Sequence, residues 1–288
     1  MLREQNEKMQ KISSALDEQI IRNVREKTLN SKETGISSEK ICNEEVIVSL
    51  TTYGERIFDV YLAIESIMQG TIKPNKILLW LSEEEFKGKT IPKTLELQVE
   101  RGLQIEFCED LRSYNKLIPS LKKYPEASIV TIDDDVMYEY DLIERLINAH
   151  IVHSDAVCAC RMHRINLDNN GKPLNYLDWE HCISDEELSP LNFPTGVGGV
   201  LYPPNCFSEE VFNSEVFMDI CPQADDIWFY SMARINSTLS KWVKTPKPAN
   251  YSIDIPIKAQ TLSVYNVDPI QRGNDIQFQK VYKRYNLF

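Results

Sequence analysis

The sequence predicts an α/β fold, a mixed sheet flanked by helices and preceded by an N-terminal helical extension. Three observations carry that expectation. From Glu45 onward, short β-branched runs alternate with segments of helical apolar spacing, as a layered α/β sheet requires. One of these runs, Ile129-Val130-Thr131-Ile132, drives straight into Asp133-Asp134-Asp135, so a rigid strand ends in three carboxylates. The first 44 residues differ in character, being charged, striped with apolar residues and closed by a polar stretch. The chain therefore divides into residues 1–44, a helix and linker, and residues 45–288, one α/β domain.

Each element follows from its own residues. Met9, Ile12, Leu16, Ile20 and Val24 recur at three- and four-residue spacing and describe an amphipathic helix. Its polar face mixes both charge signs, which favours packing on the body or on a second subunit over insertion in a membrane. Asn30 to Ser38 reads as a polar linker. Val46 to Thr52 is a β-branched strand ending in hydroxyls, Ile57 to Met68 is spaced as a helix, and Lys76 to Ser82 is a buried strand. Thr94 to Glu100 reads as a helix, Leu103 to Cys108 as a strand, and Ile118 to Lys123 as a short helix. After the Asp triplet come a helix from Asp141 to His150 and a strand from Ala156 to Cys160. Pro194-Thr195-Gly196-Val197-Gly198-Gly199 punctuates the second half, and Ile227 to Arg234 is a further helix.

Composition narrows the function. With 288 residues, 42% hydrophobic and 9% aromatic, the chain can bury one large core or two smaller ones. A net charge of −11 argues against a nucleic-acid partner, which calls for a basic face. An anionic substrate then needs a metal or a local basic cluster. The seven cysteines are odd in number and show no CxxC spacing, so neither a disulfide framework nor a zinc site is indicated. His150, His153, His163 and His181 are too scattered for a zincin pattern, and no metal is expected at them. No apolar run is long enough to span a bilayer, and the opening MLREQNEKMQ is no signal peptide. The expected location is the cytoplasm, with peripheral contact at the inner face of the plasma membrane left open.

Two acidic groups carry the chemistry. Ligands of α/β sheets bind outside the carboxyl ends of the strands, and hard cations such as Mg²⁺ or Mn²⁺ prefer oxygen ligands. Asp133, Asp134 and Asp135 therefore admit a metal-diphosphate site, with an acidic helix-capping turn as the alternative. Asp225 and Asp226 form the second pair. Either could take a proton from a hydroxyl nucleophile, or both could stabilise the dipole of the helix they open. Trp179 and Trp228 read as core residues before they read as sugar platforms.

Four segments in order resemble the nucleotide-sugar glycosyltransferases of the GT-A fold, chiefly the bacterial family-2-like enzymes of polysaccharide clusters, with a layout also similar to exostosin-like domains. They are Ser49-Leu50-Thr51-Thr52-Tyr53 with Glu55-Arg56, Tyr114-Asn115-Lys116, Asp133-Asp134-Asp135, and Ala224-Asp225-Asp226-Ile227-Trp228. The resemblance spans roughly residues 45 to 250, and Asp133 with Asp135 satisfies the family's Asp-x-Asp pattern. It implies a hexosyltransferase-type enzyme that takes a UDP-sugar with Mn²⁺ or Mg²⁺ and passes the sugar to a glycan or lipid-linked glycan. Asp135 would ligate the metal directly, and Asp133 would face the ribose or a metal-bound water. Asp134 would hold neighbouring backbone or sugar. Thr51, Tyr53 and Arg56 fall where the family places its uracil and ribose pocket, and Asn115 and Lys116 reach toward base or diphosphate, with a solvated surface role open for Lys116. The motif assigns the base to Asp226, with Asp225 orienting a sugar hydroxyl or capping the helix. Two alternatives stay open: a nucleotidyl- or phosphotransferase using the Asp cluster, and a catalytically inactive binding module of the same fold.

Overall fold

The computed structural model describes residues 2–246, 253–255, 266–268 and 270–287. The chain opens with α1 (Leu2–Asn30), then β1 (Val46–Thr51), α2 (Tyr61–Met68), β2 (Lys76–Ser82), α3 (Glu83–Phe86), α4 (Lys93–Val99) and β3 (Leu103–Cys108). Next come α5 (Ile118–Lys123), β4 (Ser128–Thr131), β5 (Val136–Met137), α6 (Leu142–Val152), β6 (Val157–Ala159), β7 (Met162–Arg164), β8 (Asn192–Pro194) and β9 (Val200–Tyr202). The last elements are α7 (Ser214–Ile220), α8 (Asp225–Ile235), β10 (Ser240–Trp242), β11 (Ile253–Asp254) and α9 (Gly273–Tyr285).

Among the described residues, seven strands form one sheet in the order β10-β6-β9-β4-β1-β2-β3. Strand β9 runs antiparallel to β4 and β6, and every other pairing is parallel. The expected mixed sheet flanked by helices is therefore what the chain builds. Alternate residues of each strand enter opposite cores. Ile47, Leu78, Trp80, Ile129 and Val200 belong to one cluster, and Val48, Leu50, Ile77, Leu79, Val130 and Leu201 to the other. A sheet covered on both faces explains why these strands read as continuous apolar runs rather than as alternating ones. All four tryptophans are buried, Trp179 and Trp228 among them, which agrees with their reading as core.

The topology places a crevice. From β1 the chain steps outward through β2 to β3, then returns so that β4 pairs with the other side of β1. Strand order reverses there, and the helices on either side of such a switch point part to leave room for a ligand beyond the carboxyl ends. The segments leaving β1 and β4 therefore meet in space. The expected helix from Ile57 is broken: a 3-10 turn spans Gly54–Phe58, and α2 starts only at Tyr61. Gly54 has φ of 55°, a left-handed turn that glycine adopts without strain.

Helix α1 packs through its C-terminal turns on α2 and α4. Val24 and Thr28 are buried, Ile21 packs against the core, and Arg25 Nε donates to Tyr61 Oη at 2.9 Å. The apolar stripe is thus met only at Val24: Ile12, Leu16 and Ile20 are exposed, and the Met9 side chain lies outside the described residues. One residue along a helix is a turn of about 100°, so a contact centred on Ile21 and Val24 leaves Ile20 and Leu16 facing outward. Among the described residues no helix is long and apolar enough to cross a membrane.

Candidate functional site

Two cations organise the carboxylates in the crevice. Thr52, just past β1, donates from Oγ1 to Asp134 Oδ2 at 2.6 Å. Arg56 Nη1 donates to Asp134 Oδ1 at 2.6 Å and to Asp135 Oδ2 at 3.2 Å. Asp134 and Arg56 are both buried, so this pair locks the exit of β1 to the exit of β4. The Arg56 guanidinium also lies over the ring of Tyr53, 4.8 Å from its centroid. On the other side, Lys116 Nζ donates to Asp133 Oδ1 at 2.9 Å. The same ammonium sits 2.9 Å from Asp225 Oδ2, an ion contact without hydrogen-bond alignment.

Asp226 faces the glycine-rich turn before β9. The Gly196 N–H donates to both of its oxygens, at 3.1 and 3.0 Å. A Cβ on Gly196 would lie 2.7 Å from Lys116 Nζ, 3.0 Å from Asp226 Oδ1 and 3.6 Å from Asp133 Oδ1. Only a residue without a side chain lets backbone approach this cluster, so Asp133, Lys116, Asp226 and the Gly196 amide share one small volume. Beside it, Arg161 Nη1 donates to Thr195 Oγ1 at 3.1 Å, and Gly198 lets the two chain segments touch.

Among the described residues, the carboxylates outnumber the cations paired with them: Asp133, Asp134, Asp135, Asp225 and Asp226 stand against Arg56 and Lys116. Burial first, then the charges of Asp133 and Asp134, push Asp135 up to about 6. Burial also raises Asp134, against the opposing pull of Arg56. Burial and then the charge of Asp225 push Asp226 up to about 7. Lys116 is buried, which alone lowers an ammonium, yet the charges of Asp133, Asp225 and Asp226 overcome this and hold it protonated well above its usual range. Surplus negative charge on hard oxygen donors suits a divalent cation. The triplet is also splayed, because Arg56 draws Asp134 and Asp135 one way while Lys116 draws Asp133 the other. Among the described residues it does not bring three ligand oxygens within 4.8 Å of one another. A cation there would take one or two carboxylates and complete its shell with phosphate oxygens and water, as Mg²⁺ commonly does.

The expected residues fall into three groups. Arg56, Lys116, Asp133, Asp134, Asp135, Asp225 and Asp226 converge on the crevice. Tyr53 is at the rim, 48% exposed. Thr51 and Asn115 have structural duties: the Thr51 hydroxyl donates to the Trp80 carbonyl at 2.9 Å, and buried Asn115 accepts the Leu111 N–H on Oδ1 at 3.1 Å. Lys116 is not on a solvated surface, being 7% exposed. Asp225 and Asp226 open α8, but its N-cap is Ala224 and no side chain caps it.

Sequence reasoning passes over Thr52 and Tyr138. Thr52 is the neighbour of Thr51 and lies just past the end of β1, so its hydroxyl meets Asp134 while that of Thr51 bonds the Trp80 carbonyl on β2. Tyr138 Oη accepts the Asp133 N–H at 2.8 Å and steadies the bend of the triplet, a role that no local pattern announces.

No family model and no curated protein matches this chain. Solved structures similar to it include a mannosyltransferase from Pyrobaculum calidifontis in complex with GDP-Man and Mn²⁺, at 13% identity over 50% of this chain, with a TM-score of 0.34. This chain spans 42% of the length of that enzyme. A CMP:2-keto-3-deoxy-manno-octonic acid synthetase complexed with CTP is 8% identical over 74% of this chain and 93% of its own, with a TM-score of 0.42. A glucose-1-phosphate thymidylyltransferase described as putative, from Bacillus anthracis, is 12% identical over 70% and 86%, with a TM-score of 0.40. Likenesses this distant fix neither a family nor an activity.

Proposed function

We propose that this chain is a metal-dependent glycosyltransferase of the GT-A fold, moving a sugar from a UDP-sugar to a glycan or lipid-linked glycan in capsule, lipopolysaccharide or exopolysaccharide synthesis. One observation carries the reading. An aspartate with its pKa raised to about 7, Asp226, sits beside the cluster that would hold a diphosphate, its carboxylate gathered with Lys116 and Asp133 around Gly196. A base poised near neutral pH next to a leaving-group site is what transfer to a hydroxyl needs.

Each residue then has a task. Asp135 and Asp133 would hold Mn²⁺ or Mg²⁺, which stabilises the charge developing on a nucleoside diphosphate as a Lewis acid. Arg56 fixes the Asp135 carboxylate through a hydrogen bond, and Asp134 anchors Arg56 in turn. Tyr53 offers an exposed aromatic face at the rim for a nucleobase. Lys116 supplies a fixed positive charge where the diphosphate leaves. Asp226 takes the proton of the acceptor hydroxyl, and the Gly196 amide keeps its two oxygens aimed. Asp225 holds Lys116 in place.

The test is product release. With Mn²⁺ or Mg²⁺, a panel of UDP-sugars should yield UDP, faster with an acceptor present. Release of pyrophosphate from UTP and a sugar 1-phosphate would instead support nucleotidyl transfer. Binding without turnover of either kind would mark an inactive module.

A further inference from the structure

The connection entering β1 gathers a second set of ligand atoms. Cys42 Sγ, a Glu44 carboxylate oxygen and a His150 ring nitrogen all lie within 4.8 Å of one another, the one such grouping of His, Cys, Asp and Glu among the described residues. Glu44 Oε1 makes a short contact with His150 Nε2, in the last turn of α6. Ser128, the first residue of β4, donates from Oγ to Glu44 Oε1 at 2.6 Å and lies 3.4 Å from His150 Nε2. Ser128 and Asp133 stand at opposite ends of one extended segment, on the order of 16 Å apart at the usual rise per strand residue. This cluster is therefore separate from the crevice.

Its geometry excludes a hydrolytic relay. A nucleophile, imidazole and acid relay needs hydroxyl and carboxylate on opposite ring nitrogens, whereas Ser128 and Glu44 both face Nε2. The other nitrogen, Nδ1, is buried with no hydrogen-bond partner among the described residues, so among them the groups at Nε2 orient the ring. His150 is buried while Cys42 and Glu44 are half-buried, which leaves an ion a way in. Thiolate, imidazole and carboxylate together make a borderline donor set, and zinc takes three such protein ligands with water in the fourth position.

We propose that Cys42, Glu44 and His150 bind one zinc ion, whose fourth ligand is a water held by the Ser128 hydroxyl. The ion staples the 31–45 connection to α6 and to the start of β4, and so fixes how the chain enters the central strand. Binding replaces the thiol proton with the metal, so uptake releases that proton and weakens as pH falls. Glu44 and His150 are 106 residues apart, which is why no ligand spacing is visible in the sequence.

Cobalt(II) added to the tag-free full-length chain tests this. One equivalent should give the thiolate-to-cobalt charge-transfer band, and zinc should bleach it. Cys42→Ser, at a half-buried position, should keep the circular dichroism spectrum and lose the band. Loss of a direct ligand should weaken zinc binding by more than the roughly 10–100-fold that outer-shell changes cost. Asp135→Ala should retain the band, which separates this ion from any cation in the crevice. A folded wild type with no such band, or a band of equal strength in Cys42→Ser, overturns the proposal.

Discussion

Replacing Asp226 by Asn should move stability and activity in opposite directions. Burial and the charge of Asp225 raise this carboxyl from 3.8 to about 7. A folded-state pKa above the unfolded one favours the native state at low pH. That contribution is fully present below about 4 and is lost as pH rises through about 7. Above neutrality the wild type therefore carries a charge that its surroundings resist, and Asn removes it. Roughly three units at 1.36 kcal/mol each put the ceiling on the order of 4 kcal/mol, and partial exposure of the group screens it further. At about 2–4 °C per kcal/mol, Asp226→Asn should melt several degrees higher than wild type at pH 8 and alike at pH 4. Turnover should fall by roughly 10²–10⁴-fold, and wild-type activity should rise as pH climbs through about 7. Thermal unfolding from pH 4 to pH 9 on both proteins, with UDP release on the same samples, checks this. Parallel melting curves across that range would refute the burial argument, and unchanged turnover would remove Asp226 as the base.

Three other perturbations act on the same contacts. Lys116→Met leaves Asp133 and Asp225 without their shared cation, so it should cost about 3–5 kcal/mol at neutral pH, and less at pH 5, by denaturant unfolding. Gly196→Ala puts a methyl 2.7 Å from Lys116 Nζ, which should cost about 1–3 kcal/mol as overpacking and lower UDP release, whereas Gly171→Ala, in an exposed turn with φ of 77°, should lower stability and spare release. Deleting residues 1–20 removes the exposed Ile12, Leu16 and Ile20 but keeps Val24 and Thr28 docked. Melting temperature and UDP release should hold while the number of chains per particle by light scattering falls, and an unchanged number would confine α1 to its packing on α2 and α4.

The sheet is legible in the sequence because its strands are apolar runs bounded by turn residues, and both acidic groups because strand and helix starts bracket them. Three features are hidden. The 3-10 turn at Gly54–Phe58 has helical spacing in sequence, and only the reach of Arg56 to Asp134 shows why the helix is delayed. The packed face of α1 differs from the expected one because a stripe of Met, Ile, Leu and Val looks buried wherever it lies, while the actual seat uses Ile21 and Thr28. Lys116 resembles any surface lysine, since nothing local reveals that Asp133 and Asp225 arrive from segments 17 and 109 positions later. Charge pairing across the topological switch is a tertiary fact.

The most direct measurement is which bond breaks. A UDP-sugar carrying a heavy oxygen isotope in the bridge between the anomeric carbon and the phosphate, incubated with enzyme, Mn²⁺ and acceptor, should place the label in the released UDP, because sugar transfer cleaves the carbon–oxygen bond. Label retained in a sugar phosphate would mean cleavage at phosphorus, and the carboxylate cluster would then serve nucleotidyl or phosphoryl transfer instead.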